Sequence, residues 1–93
     1  MYGTVRVYGA SGDLVDRLLE NESEVKGVVS GIEGFKAYYL IRTADGTASI
    51  SVYETEDGAA ESNKAAAAWI KERLPDFAGD APQVFAGEVV ISG

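Results

Sequence analysis

The stretch that decides the fold runs Phe35-Lys36-Ala37-Tyr38-Tyr39-Leu40-Ile41-Arg42-Thr43-Ala44-Asp45-Gly46-Thr47-Ala48-Ser49-Ile50-Ser51-Val52-Tyr53-Glu54. Its first part, 35–43, is apolar at both parities: Phe35, Ala37, Tyr39 and Ile41 against Tyr38 and Leu40. A strand apolar on both sides is expected to be buried on both sides. The Asp45-Gly46 step supplies a tight turn. From Thr47 to Glu54 the pattern alternates, Ala48, Ile50 and Val52 on one face and Ser49, Ser51 and Tyr53 on the other. The stretch therefore reads as a β-hairpin at the centre of the chain.

Working outward, each end of the hairpin meets a helix and then a strand. On the N-terminal side, Leu14, Leu18, Val25, Val29 and Ile32 recur near helical spacing, joined by Val15, Leu19 and Val28. Ser11 or Asp13 is placed to cap this helix. Asn21-Glu22-Ser23 interrupts the stripe, so a bend or split is expected there, and Gly31-Ile32-Glu33-Gly34 ends it. Tyr2 to Tyr8 alternates as a strand, with Val5 and Val7 pointing one way and Tyr2, Thr4, Arg6 and Tyr8 the other. On the C-terminal side, Thr55 or Asp57 caps a helix whose narrow stripe is Asn63, Ala66, Ala67, Ile70 and Leu74. Pro75 and Gly79 end it, and Gln83 to Ser92 is the last strand.

The order is β-α-β-β-α-β. Two right-handed crossovers interleaved through a hairpin give an α+β, ferredoxin-like, four-stranded antiparallel sheet with both helices on one face. The first strand then lies between the third and the fourth. Val5 and Val7, Ile50 and Val52, Val89 and Ile91 suit the face beneath the helices. The opposite face would carry Tyr2, Tyr8, Tyr53, Val84 and Val90, too aromatic a surface for a small monomer to leave in water. Two such sheets facing each other with C2 symmetry would cover it, giving a homodimeric α+β barrel. The alternative is a monomer whose tyrosines tolerate water through their hydroxyls.

The totals agree with a small assembly. The 93 residues make one domain, 1–93, whose burial is modest. Cysteine and histidine are both absent. That removes disulfides, thiolate zinc sites and the commonest general base and imidazole ligand, so no metal site is expected and self-association is left as the source of extra burial. Fifteen Asp and Glu outnumber eight Lys and Arg, a net charge of −7 that argues against nucleic acid and anionic membrane surfaces as partners. No stretch approaches the ~20 apolar residues of a membrane span. The N-terminus shows no basic and then apolar leader, and the chain reads as cytoplasmic. The acidic set Asp13, Asp16, Glu20, Glu22 and Glu24 reads as a solvated helix face. Gly9-Ala10-Ser11-Gly12 lacks the Lys of a phosphate-holding loop and is discounted.

The run Gly34-Phe35-Lys36-Ala37-Tyr38-Tyr39-Leu40, with Asp45-Gly46 and Ser49-Ile50-Ser51-Val52-Tyr53-Glu54, resembles the core hairpin of the antibiotic-biosynthesis-monooxygenase-like proteins of the dimeric α+β barrel superfamily. Glu61-Ser62-Asn63-Lys64-Ala65-Ala66 with Trp69 is similar to their second helix, and Gly87-Glu88-Val89 to their last strand. The resemblance covers about positions 1–92. It implies the barrel dimer and an activity among cofactor-free oxygenases of aromatic polyketides. In those enzymes an Asn and a Trp on the second helix help hold substrate, and the nearest matches are Asn63 and Trp69. The family's haem degraders hold iron through a helix histidine. This chain has none, so haem is not expected, nor is any other cofactor.

The candidate ligand-binding residues are Arg6, Tyr8, Tyr39, Tyr53, Asn63, Trp69 and Glu88. Arg6 and Glu88 sit on neighbouring strands with the parity that faces the partner. They make either an anion anchor oriented by Glu88 or a plain structural ion pair. Tyr8, Tyr39 and Tyr53 either stack a flat aromatic ligand or fill the dimer core; Tyr38 has the opposite parity to Tyr39, so at most one of that pair faces a cavity. Trp69 walls a pocket or simply packs, with Arg73 over its ring. Asn63, polar on an apolar stripe, needs a hydrogen bond, from a ligand or from the backbone. Three functions compete on this reading. The first is a cofactor-independent monooxygenase of polycyclic phenols, with Arg6 on the phenolate, Tyr53 and Asn63 hydrogen-bonding it and Trp69 closing the wall. The second is a non-catalytic small-molecule-binding or stress-response dimer. The third is a structural domain whose cavity its own tyrosines fill.

Overall fold

The hairpin and its flanking elements are seen in a computed structural model, which describes residues 1–8, 14–44, 46–77 and 82–92. The elements are β1 (Tyr2–Tyr8), α1 (Leu14–Glu20), α2 (Glu22–Ser30), β2 (Phe35–Arg42), β3 (Thr47–Tyr53), α3 (Glu56–Arg73) and β4 (Gln83–Glu88). The strands form one antiparallel sheet in the order β2-β3-β1-β4, the ferredoxin-like arrangement. The break expected at Asn21 is real: α1 ends at Glu20 and α2 begins at Glu22. Asn21 bridges them, its backbone N–H donating to Leu18 O at 3.1 Å and its side chain to Arg17 O at 2.9 Å. Thr55 caps α3 by accepting from the Gly58 N–H at 3.2 Å. Ser11, Asp13, the 9–12 loop and Asp45 lie outside the described residues.

The faces of the sheet are reversed from the sequence expectation. Thr4, Arg6 and Tyr8 of β1 and Thr47, Ser49, Ser51 and Tyr53 of β3 are buried beneath the helices, and on the other face only Ala48 is buried. Val5, Val7, Ile50 and Val52 lie on the uncovered side, only half-buried. Register ties the two strands to this choice, since Thr4 pairs with Ser51 and Arg6 with Ser49. The physical reason is that α3 brings its own polar group. Asn63 accepts from Thr4 and Arg6, so a polar sheet face is satisfied where an apolar helix would have left it orphaned.

Three further expectations are corrected. β2 is not buried on both sides, because it is an edge strand, and Tyr39 of its uncovered face is 60% exposed. A bulge at Lys36 lets Phe35 and Tyr38 share the helix side, where the Phe35 ring meets Tyr53 edge-on at 5.9 Å. β4 ends at Glu88, not Ser92, and all its residues are exposed, because no helix covers that edge as fully. The buried stripe of α3 is also turned: Gly58, Ala59, Ser62 and Ile70 are buried, Trp69 is half-buried and Ala67 is exposed. The apolar core sits between α1, α3 and the sheet, built from Tyr8, Leu14, Leu18, Ile70 and Leu74, with Val25, Leu40 and Trp69 packed against it. Among the described residues no helix is long and apolar enough to cross a membrane.

Candidate functional site

Arg6 leaves the middle of β1 toward the helices and is 3% exposed. Its Nη1 donates to Asn63 Oδ1 at 2.8 Å, and Thr4 Oγ1 donates to the same oxygen at 3.1 Å. Its Nη2 reaches Ser51 Oγ only at 3.5 Å, the outer limit of a hydrogen bond, and its Nε has no partner. Among the described residues, the ion pairs are Arg17–Glu20, Lys26–Glu22, Lys36–Glu54, Arg42–Asp16 and Arg73–Glu24. None includes Arg6. A guanidinium taken out of water without a carboxylate costs several kcal/mol, and neutral hydrogen bonds offset only part of that.

The cation looks into a cavity between the sheet and the helices. Arg6, Tyr8, Ser49 and Tyr38 form its floor; Leu18, Val25, Val28, Val29, Ala66, Trp69 and Ile70 form its walls. The cavity measures about 30 Å³. That volume matches a water or two, or the head of a small oxyanion, and is well below the range of small-molecule sites. Ser49 Oγ is buried without a partner. Burial pushes the Tyr8 and Tyr38 hydroxyls above the usual phenol range, while the charge of Arg6 works the other way. Both stay protonated at neutral pH and are available as donors to an anion.

Trp69 and Glu24 make the rim. Trp69 Nε1 donates to Glu24 Oε1 at 3.3 Å, and Arg73 Nη2 pairs with the same carboxylate oxygen at 2.9 Å. This ties α2 to α3 beside the cavity, so the wall facing solvent is fastened by partly exposed polar contacts and opens more cheaply than the core. A wider hollow near Gly31–Gly34 and the start of α3 is lined by Glu33, Glu54, Asp57 and Glu61, which would repel an anion.

Four of the sequence-predicted residues are brought together. Arg6, Tyr8 and Trp69 line the cavity, and Asn63 holds Arg6 from behind. Tyr53 lies nearby but is fully buried, donating to Val29 O at 2.9 Å, and belongs to the packing. Tyr39 is on the other face of the sheet. Glu88 pairs in register with Tyr2, at the opposite end of β1 from the partner of Arg6, which is Val84. No Arg6–Glu88 contact forms: the two share a face but not a position along it. Sequence reading passed over Tyr38 and Ser49. The signal for both was the shared parity of Thr4, Arg6, Ser49 and Ser51, a polar row that a helix layer would have to satisfy.

No protein-family profile matches the chain, and no curated protein sequence is recognisably similar to it. Solved structures do match in fold. A protein from Nitrosomonas europaea, provisionally named an antibiotic biosynthesis monooxygenase, aligns with a TM-score of 0.72 and 14% identity, over 98% of this chain and 100% of that one. A protein from Shewanella loihica PV-4, provisionally named a monooxygenase, aligns with a TM-score of 0.60 and 12% identity, over 98% of this chain and 95% of that one. At these identities the likeness is one of fold.

Proposed function

We propose that this chain binds a hydroxylated aromatic molecule, as its phenolate, in the cavity over Arg6, and delivers it to dioxygen without a cofactor. The carrying observation is Arg6 itself: buried, hydrogen-bonded to neutral partners, and paired with no carboxylate among the described residues. Such a cation stabilises a phenolate over its phenol, and the phenolate is the form that gives electrons to oxygen. Tyr8 and Tyr38 donate to the same anion, and Asn63 fixes the guanidinium. Val25, Val28 and Trp69 cover the ring and keep water out. A cavity of about 30 Å³ admits the oxyanion but not a ring, so entry requires the Trp69–Glu24 rim to part.

In the reaction, a ring CH2 activated by the phenolate loses a proton to water, and its electron pair reduces O2. A carbon–peroxide bond forms, and loss of water leaves a carbonyl: CH2 and O2 become C=O and H2O. The fold shared with proteins named as monooxygenases supports this reading. The test is aerobic and anaerobic incubation with hydroxylated anthrones and naphthols, following oxygen uptake and product. Oxygen-dependent product that Arg6→Met abolishes is expected; no product across the panel removes the catalytic claim.

One observation favours a second reading, a non-catalytic binding protein of the same fold. The cavity-lining residues include no carboxylate or imidazole to take the carbon proton. Saturable quenching of Trp69, the single tryptophan, without oxygen uptake would establish that reading. In either case the unit acts as a homodimer, 1–93 in each copy, closed through the uncovered sheet face. That face carries Val5, Val7, Ile50, Val52, Tyr39, Ile41 and Phe85. It is not the tyrosine face that the sequence pattern suggested.

A further inference from the structure

We infer that the ligand of this cavity carries a carboxylate, held side-on by the Nε–Nη2 edge of Arg6 and by Ser49. The inference rests on the cavity being the ligand site and adds the group that the site is built to grip. A guanidinium has two edges able to bind a two-oxygen anion in parallel. Here Nη1 is committed to Asn63 at 2.8 Å, on the side away from that edge. Nε has no partner, and Nη2 has only a 3.5 Å contact with Ser51 Oγ. The unfilled edge is thus the fork that matches a carboxylate, and a lone phenolate oxygen would satisfy half of it.

Two more observations agree. Ser49 faces Arg6 across the β1–β3 ladder, lines the same cavity, and buries a hydroxyl with no partner. That hydroxyl is a third donor on the same floor. The cavity, about 30 Å³, has the size of a carboxylate head, and a ring enters behind it only once the rim parts. Buried donors that the protein itself leaves unpaired discriminate strongly for a ligand that fills them, because each costs free energy until it is bonded. The ligand class is therefore an aromatic hydroxy acid, carboxylate inward and ring outward against Trp69.

The experiment is calorimetric titration of the whole chain at pH 7 with 2-naphthol, 2-naphthoate and 3-hydroxy-2-naphthoate. It uses the natural chain, Arg6→Lys, which keeps the charge and loses the fork, and Ser49→Ala. The hydroxy acid is expected to bind the natural chain at least tenfold more tightly than 2-naphthol. Arg6→Lys is expected to erase that advantage, and Ser49→Ala is expected to weaken the acid more than 2-naphthol. If the two ligands bind equally, or the gap survives in Arg6→Lys, the carboxylate subsite is overturned while a phenol site stands. If 2-naphthoate binds as tightly as the hydroxy acid and 2-naphthol does not bind, the subsite stands and the phenolate reading falls. Binding of none of the three overturns both.

Discussion

At the scale of single residues, Arg6 and Asn63 make opposite predictions although they share one hydrogen bond. Arg6→Met replaces an uncompensated buried cation by an apolar chain of similar length. Thr4 still donates to Asn63, and only Ser51 Oγ loses a contact, the long one of 3.5 Å from Arg6. Thermal stability is expected to hold or rise while ligand binding is lost. Asn63→Ala removes the acceptor shared by Thr4 and Arg6 and leaves both donors buried and unpaired. A loss of about 1–3 kcal/mol in urea unfolding is expected. A drop with Arg6→Met as large as with Asn63→Ala would mean the guanidinium is structural. The tyrosines set the alkaline limit. Burial raises Tyr8, Tyr38 and Tyr53 above their unfolded value near 10. Below about pH 10 both states keep these protons and stability does not depend on them. Above it the unfolded chain releases protons that the fold retains, so stability falls as pH rises. Urea midpoints are expected to be flat from pH 7 to about 9 and lower at pH 11, with a smaller drop in Tyr38→Phe. Arg6, Asn63 and Trp69 were legible in the sequence because each is an oddity on its own element: a charge in a strand, a polar residue in an apolar stripe, a lone tryptophan; Tyr8 was legible as an aromatic of the same parity as Arg6. Tyr38 and Ser49 were not, because what marks them is only which side of the sheet the helices take.

At the scale of elements, that choice of side is the lesson of the fold. The order of strands and helices, the split at Asn21 and the Thr55 cap could all be read locally, since turn chemistry, period and capping act over a few residues. The assumption that helices take the more apolar face is not local. It failed because Asn63 and the small residues of α3 accept a polar sheet face, and because a face of Val5, Val7, Ile50 and Val52 can be left for a different cover. The burial of β2 and the end of β4 were misjudged for a related reason: edge strands gain burial only from neighbours that the sequence pattern does not display. The close approach of α3 to β3 is itself testable. A Cβ at Gly58 would lie 3.0 Å from Tyr53 Cβ and 3.1 Å from Glu33 O, neither of which is the free end of a flexible chain. Ala favours helix over Gly by up to about 1 kcal/mol, but forcing the helix off Tyr53 costs about 1–3 kcal/mol. Gly58→Ala is therefore expected to lower stability despite its better helix propensity. A stabilised variant would show that the helix start has slack. Gly34, at φ +84° where α2 turns into β2, has no such freedom to exchange, and Gly34→Ala is expected to cost about 1 kcal/mol by strain alone.

At the scale of the whole molecule, the two faces of the sheet divide the work. The polar face is closed by the chain's own helices and contains the cavity; among the described residues no helix covers the apolar face. Ile50 stands at the centre of that second face, paired in register with Val5 on one side and Tyr39 on the other. In the proposed homodimer it meets its own copy, or nearly so, across the twofold axis. Ile50→Lys would then bury two like charges against each other and is expected to abolish association, whereas on a free monomer the same change is a surface substitution of small effect. Light scattering at micromolar concentration is expected to give a mass near twice 9.8 kDa for the natural chain and near 9.8 kDa for the variant. A natural chain that is already monomeric would remove the dimer. The cavity residues Arg6, Tyr8, Tyr38, Ser49 and Trp69 all come from one chain and lie on the far side of the sheet from Ile50. The monomeric variant is therefore expected to keep its aromatic ligand, with affinity within about threefold of the dimer. If affinity instead vanishes with the mass, the second copy holds the sheet in the shape that places Arg6, and assembly and binding are one equilibrium and not two.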